Sequence, residues 1–281
     1  MTPIENQTVL VTGATGGLGR ALVHRLAGLG ATVVAHGRDA GRLEALAGEV
    51  REETGREIDP VQADLAELAQ VDALTETVLQ RHDRLHVLVN NAGVGFGPPD
   101  ATREVSRDGI ELRFAVNHLA GYALARRLVP RLVDSAPSRI VMVASAGQLP
   151  LDPEDPFTER DWDGVTAYRR SKLAQVMSAY DLAADLVGTD VSVNAIHPAT
   201  FMDTAMVREH GVRPTSTVDE GLEAVLRLVA DPALDGVSGH YYNGLVQADA
   251  DPQADDPAAR AWVRELSDLL LAGARPGVSG S

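Results

Sequence analysis

The 281-residue sequence has no cysteine, which excludes a disulfide framework and any cysteine-ligated zinc or iron–sulfur site. It is short of positive charge: 25 basic residues against 40 acidic ones leave a net charge of −15. A nucleic-acid binder or an anionic-membrane binder would want the opposite balance. No apolar run approaches the ~18 residues of a membrane span. The stretch Met1 to Gln7 is polar and carries Glu5, unlike a signal peptide. These absences lead us to expect a soluble, cytoplasmic protein without a membrane span or a nucleic-acid partner. Lysine is also nearly missing. The single one, Lys172, stands against 24 arginines. Where arginine has taken every other basic position, the remaining lysine marks a place where arginine does not serve, unless codon usage alone left it there.

What is present is ordinary globular material, with 44% hydrophobic and 23% charged residues. We expect one domain over residues 1–281, with a frayed tail at Gly273–Ser281. Short β-rich runs alternate with longer helical patterns. The expected strands are Thr8–Thr12, Thr32–His36, Pro60–Ala63, Val87–Asn90, Arg139–Ala144, Val191–Ile196 and Gly239–Tyr242. The expected helices are Gly17–Leu29, Asp39–Glu53, Leu68–Arg81, Ile110–Val133, Val165–Val187 and Val218–Ala230. Irregular segments are expected at Gly147–Gly164, Phe201–Thr217 and Asp249–Pro257. This alternation predicts an α/β, doubly wound Rossmann fold: a seven-strand, mostly parallel sheet with helices on both faces. Runs such as Val9-Leu10-Val11 and Val87-Leu88-Val89 are apolar without alternation, as strands covered on both faces should be.

The first strand runs into Thr12-Gly13-Ala14-Thr15-Gly16-Gly17-Leu18-Gly19 and then a helix. Gly13 permits a sharp turn, Gly17 lets a pyrophosphate approach the backbone, and Gly19 lets helix and strand pack closely. The helix N-terminus adds N–H donors and a positive dipole end. Further along, Tyr168 and Lys172 are spaced i, i+4, so a helix places them on one face. A neighbouring ammonium favours the phenolate and makes a tyrosine a usable acid–base near neutrality. A compact ammonium suits that task better than a planar guanidinium. The lone lysine thus falls inside a candidate catalytic pair.

With Asn90-Asn91-Ala92-Gly93 after the fourth strand, Asn117, Ser145, and Tyr168-Arg169-Arg170-Ser171-Lys172 in that order, the chain resembles the classical branch of the short-chain dehydrogenase/reductase family. The stretches Val116-Asn117-His118-Leu119 and Asp163-Gly164-Val165-Thr166-Ala167-Tyr168 are most similar to its retinol-dehydrogenase-like group. The resemblance implies a catalytic set of Asn117, Ser145, Tyr168 and Lys172. Ser145 would steady a carbonyl, Tyr168 would exchange the proton, and Lys172 would tune Tyr168 and hold a ribose. Asn117 would bend its helix and support a water leading from Lys172 to solvent. It also implies a nicotinamide site built from Gly13, Thr15, Gly17, Leu18, Gly19, Arg38, Asp64, Leu65, Asn91, Ala92, Gly93, Tyr168, Lys172, Pro198, Thr200 and Thr204, with Asp64 against the adenine. Relatives often pair through the helices expected at Ile110–Val133 and Val165–Val187, so a homodimer or homotetramer is in view.

Cofactor choice is read at His36-Gly37-Arg38-Asp39. A dinucleotide site for NAD puts a carboxylate at this strand end. Gly37 occupies that position here and Arg38 follows, so NADP(H) is favoured over NAD(H). Asp39 either caps the next helix or reads the ribose. Ala199 stands where the family has glycine, and either Thr200 or Thr204 could hold the carboxamide. The eight histidines show no metal-ligand spacing, and no metal is expected. The acidic run from Asp152 to Asp163 could attract a cation, but a solvated loop explains it as well. The expected activity is NADP(H)-dependent ketone reduction on a small to medium apolar substrate, with Met202, Met206 and Val207 lining the pocket. Retinoid-like lipids, aromatic polyketides from metabolite tailoring and simple ketones all fit. The alternatives are an NAD-dependent alcohol dehydrogenase and a catalytically silent cofactor-binding regulator.

Overall fold

The computed structural model describes residues 3–273. Eight strands form one sheet: β1 Thr8–Val11, β2 Thr32–Gly37, β3 Asp59–Gln62, β4 Val87–Asn90, β5 Ser138–Val143, β6 Val191–His197, β7 Tyr241–Asn243 and β8 Val246–Ala248. Their order across the sheet is β3-β2-β1-β4-β5-β6-β7-β8. The first seven run parallel, and β8 returns antiparallel to β7. The seven-strand expectation is therefore one strand short. The order reverses between β1 and β4, and the crevice beyond the carboxyl ends of such strands is where doubly wound sheets bind ligands.

The helices are α1 Gly17–Gly28, α2 Ala40–Thr54, α3 Leu68–Arg81, α4 Ala120–Asp134, α5 Gly164–Asp185, α6 Ala205–Glu209, α7 Val218–Ala230 and α8 Pro257–Leu271. A wide π turn at Phe114–Leu119 leads into α4, where a continuous helix was expected from residue 110. The segment expected to be irregular over 201–217 contains α6, and 249–257 contains a 3₁₀ turn at Pro252–Asp255. From residue 274 onward, the tail expected to fray lies outside the described residues.

The strands are buried on both faces, and alternate residues feed two separate cores. Leu10, Val34, Leu88, Ile140 and Met142 pack with α3, α4 and α5. Val9, Val11, Val33, Val87, Val89 and Val141 pack with α1, α2 and α7. At roughly 1.5–3 kcal/mol for each fully buried aliphatic side chain, these two layers fix the strand ends. On the α3–α5 face, α8 packs against α5 and the start of α4, the helices for which the resemblance implies pairing. His118 Nε2 lies 2.8 Å from Ser267 Oγ, the Tyr122 hydroxyl donates to Asp268 at 2.7 Å, and Arg260 and Arg264 pair with Asp181 on α5. Part of that surface is thus covered by the chain itself.

Candidate active site

Backbone contacts shape the glycine loop between β1 and α1. Gly13 has φ +66°, and a Cβ there would lie 2.8 Å from Ala92 Cα. A Cβ on Gly19 would meet the Gly13 carbonyl oxygen at 2.2 Å, so helix and turn can approach only without side chains. The segment after β4 braces the loop. Thr12 Oγ1 accepts from the backbone N–H of Asn91 at 2.9 Å and of Ala92 at 3.0 Å, while Asn91 Nδ2 donates to the Thr12 carbonyl at 2.8 Å. His36 spans the other side: Gly13 N–H donates to Nδ1 at 3.3 Å and Nε2 donates to the Ala63 carbonyl at 3.1 Å. Burial pulls the His36 pKa down to about 4, so the ring is neutral as that pattern requires. Thr15 sits in the loop, and Leu18 is buried in the first turn of α1.

At the end of β2, Asp39 accepts from Arg42 N–H at 2.9 Å and caps α2, the first of the two roles the sequence leaves open. Arg38 is exposed, and its guanidinium has no partner among the described residues. Arg42, missed in the sequence, extends its Nη2 to the Thr15 carbonyl at 2.8 Å and so flanks the glycine loop as a second cation. A Cβ on Gly37 would be 2.7 Å from the Thr15 methyl, so a carboxylate there would first have to displace Thr15. Asp64 Oδ1 accepts from Ala66 N–H at 3.0 Å, a turn contact, and the Leu65 side chain is buried in the core.

The catalytic candidates meet at the carboxyl ends of β4, β5 and β6. Ser145, just past β5, accepts Gly147 N–H at its Oγ at 3.0 Å, and its hydroxyl bonds to Tyr168. Its backbone carbonyl is held by the Tyr241 hydroxyl and by Gln148 Nε2, each at 3.0 Å. Tyr168 lies on the second turn of α5, one turn beyond Asp163, which caps the helix through Thr166 N–H. Lys172 follows a turn later. Its Nζ donates to the Val143 carbonyl at 2.8 Å and to Gln175 Oε1 at 3.1 Å, and lies 5.9 Å from the Tyr168 ring centre. Gln175 was not singled out, although its i, i+3 spacing from Lys172 was legible. Burial outweighs everything else here: it raises the Tyr168 pKa and draws that of Lys172 down to about 7. The expected lowering of the tyrosine by the ammonium is absent from this balance.

Asn117 lies in the π turn. Its Oδ1 accepts Val94 N–H at 2.6 Å, and its Nδ2 donates to the Val94 carbonyl at 3.0 Å and to Ser171 Oγ at 2.9 Å. It therefore ties the strand-end loop to α5 and bonds to the neighbour of Lys172 rather than to Lys172 itself. Gly93 separates the two: a Cβ there would be 3.2 Å from Asn117 Oδ1 and 3.6 Å from Lys172 Nζ.

Beyond β6, Phe201 takes a positive φ, +45°. Thr200 Oγ1 lies 3.0 Å from His197 Nε2, whereas the Thr204 methyl lies 2.9 Å from the place of a Gly17 Cβ. Thr204 is thus the one at the glycine loop. Pro198 and Met202 pack toward Gly221 of α7, while Met206 faces Gly95. The acidic loop consumes its own charges: Asp152 and Asp155 accept backbone N–H groups within it, and Glu159 pairs with Arg103. No cluster of potential metal ligands occurs among the described residues. No helix among them is long and apolar enough to cross a membrane.

A backbone cradle that only glycine permits, followed by serine, tyrosine and lysine at the adjoining strand ends, defines a nicotinamide-dependent oxidoreductase. Residues 7–213 match the short chain dehydrogenase family, and the chain belongs to that family. Retinol dehydrogenase 14 of Mus musculus is 34% identical, over 95% of this chain and 86% of the relative. The Streptomyces protein DnrU, provisionally named a daunorubicin C-13 ketoreductase, is 35% identical over 92% of this chain and 91% of its own. The crystal structure of 3-ketoacyl-(acyl-carrier-protein) reductase from Brucella melitensis complexed with NADH superposes with a TM-score of 0.69 at 26% identity, covering 85% of this chain and 97% of that one. Within the family the chain falls in the retinol-dehydrogenase-like group.

Proposed function

We propose that the protein is an NADP(H)-dependent ketone reductase of the cytoplasm, acting on small to medium, mainly apolar carbonyl compounds. The observation that carries this is the convergence of the Ser145 and Tyr168 hydroxyls at a strand end beside the glycine loop, with the buried Lys172 ammonium behind them. Tyr168 carries the transferable proton, and its hydroxyl can donate to a developing alkoxide. Ser145 is held for the same oxygen: its Oγ accepts from Gly147 N–H, so its own proton remains available to donate. Asn117 fixes the loop and α5 relative to each other. Gly13, Gly17 and Gly19 leave room for a pyrophosphate, braced by Asn91 and Ala92, with Thr204 above and Lys172 toward the ribose. When bound, the nicotinamide supplies or accepts the hydride; the protein supplies orientation and the proton.

For cofactor choice, the unpartnered Arg38 with Arg42 beside it suits a 2′-phosphate, and Asp39 is engaged in capping α2. The reverse reaction, alcohol oxidation with NAD, is the second reading. The name of the retinol dehydrogenase relative and the NADH in the Brucella reductase favour it. A homodimer or homotetramer formed through α4 and α5 would have to accommodate α8. The test is NADPH oxidation across a panel of cyclic, aryl and linear ketones, with NADPH and NADH titrated into the protein by fluorescence. Reduction of at least one ketone and tighter NADPH binding are expected. Tighter NADH binding would move the assignment to the second reading.

A further inference from the structure

Three consecutive carbonyls beyond β4 are held by side chains. Arg113, just before the π turn and 1% exposed, donates from Nε to Gly95 O at 3.0 Å and from Nη2 to Phe96 O at 3.3 Å. His210, following α6, donates from Nδ1 to Gly97 O at 2.8 Å. Arg113 is itself fully engaged. Its Nη1 lies 3.3 Å from Glu111 Oε1, and its guanidinium stacks 5.0 Å over the Trp162 ring. Glu111 in turn accepts from Trp162 Nε1 at 3.4 Å and from Phe114 N–H at 2.9 Å. Burying an ion pair so deeply carries a desolvation cost that complete hydrogen bonding must offset. The arrangement holds this loop in one shape.

That shape places Phe96. Its ring meets the Tyr168 ring edge-on, 4.8 Å between centres at 69°, and meets the His210 ring at 4.4 Å. The loop is confined on both sides. A Cβ on Gly164, in the first turn of α5, would fall 2.0 Å from Phe96 O, and one on Gly95 would fall 2.6 Å from Met206 Cγ. Phe96 thus touches the acid–base tyrosine on one side and the 201–217 segment on the other.

We propose that Phe96 is a specificity-determining residue of the carbonyl site, with Arg113 as its positioning residue: the ring limits the bulk that a ketone substituent can place beside Tyr168. This rests on the assignment of Tyr168 as the acid of a ketone reductase. The 201–217 segment also reaches the glycine loop through Thr204, but among the described residues no hydrogen bond or ring contact of Phe96 or Arg113 touches that loop, so substrate selection can be altered with little change in cofactor binding.

The experiment compares kcat and KM for cyclohexanone and for 2-acetylnaphthalene, with NADPH, in the full chain and in Phe96→Ala, Phe96→Trp and Arg113→Lys. A difference of about one methylene in a pocket discriminates roughly ten- to 200-fold. Phe96→Ala should therefore raise the ratio of kcat/KM for the naphthyl ketone over cyclohexanone by about tenfold or more, and Phe96→Trp should lower it. The NADPH dissociation constant should stay within twofold of about its wild-type value in both. Arg113→Lys, unable to fork onto two carbonyls, should move the ratio in the same direction as Phe96→Ala. A merely destabilised protein would lose both activities in proportion. If Arg113→Lys does not fold, the two Phe96 variants decide alone. An active wild type whose ratio is unmoved in both of them overturns the proposal. A wild type that reduces neither ketone overturns the ketone-reductase assignment beneath it, and the proposal with it.

Discussion

Replacing Lys172 with methionine should make the protein more stable while removing its turnover. The side chain is 4% exposed, and burial draws its pKa from 10.5 to about 7. At ~1.4 kcal/mol for each pH unit, holding an amine there below pH 7 costs the fold about 5 kcal/mol. Methionine has similar length and no charge to desolvate, but it leaves the Val143 carbonyl and Gln175 without their donor. Each buried acceptor left without its donor costs about 1–3 kcal/mol, so the two offset at least ~2 kcal/mol and a net gain of at most ~3 kcal/mol remains. The sign with pH follows from linkage. The folded pKa lies below the unfolded one, so the penalty is complete below about 7 and is relieved as pH rises toward 10.5. Urea unfolding of both proteins should thus favour the methionine variant by up to ~3 kcal/mol near pH 6, with that advantage gone near about pH 9. Turnover should fall by about 10²-fold or more, because methionine has no donor to hold the ribose and so leaves the nicotinamide misplaced beside Tyr168. A methionine variant that is less stable near pH 6, or a gap that does not change with pH, would refute the argument.

Much of this was legible because the governing signals are local. Short runs rich in valine, leucine and isoleucine mark β1, β4 and β5, and the order of Asn117, Ser145, Tyr168 and Lys172 points to the candidate site. What escaped depends on contacts far apart in sequence or on weak local patterns. β8 is three residues long, with Leu245 and Val246 exposed, so neither alternation nor burial announces it. For α8 the signals were present: Asp256 caps it, Pro257 stands at its start, and Val263, Leu266 and Leu270 are buried at helical spacing. The acidic, alanine-rich stretch before it hid the boundary. The π turn has no sequence signature, since its residues are those of any buried helix. Arg42 reaches the glycine loop from 27 positions away, and Arg113 reaches Gly95 from 18. Pairings of that range are set by the sheet and cannot be read from neighbours.

Four further outcomes are expected. Tyr168→Phe should keep its cofactor affinity but lose about 10²-fold or more in kcat, since the ring still packs and the transferable proton is gone; equal kcat in the two proteins would remove Tyr168 from the acid role. Arg38→Ala should weaken NADPH by about ten- to hundredfold, the worth of one charge-assisted pair, and leave NADH nearly unchanged. Arg42→Ala should weaken both cofactors, NADPH more, because it also frees the Thr15 carbonyl; equal losses for the two cofactors in both variants would exclude a 2′-phosphate site. The last outcome concerns acid. Burial holds the pKa of His36 and His197 at about 4 and that of His118 at about 3, against 6.5 for an exposed ring. The unfolded chain therefore takes up these protons first, so the stability they confer is complete above about pH 6.5 and is lost as pH falls through 4. Each ring gives up as much as ~3 kcal/mol on that descent, against a total stability of roughly 5–15 kcal/mol for a typical domain. Acid unfolding should accordingly begin well above the range in which the carboxylates titrate. His36 is the one of the three that also binds the glycine loop: a proton on Nδ1 would face the Gly13 N–H it now accepts. NADPH affinity should fall along with stability as pH drops, and His36→Gln, which takes up no proton, should move the acid midpoint to lower pH by circular dichroism. An unchanged midpoint in that variant would mean that His36 is not among the groups whose protonation unfolds the protein.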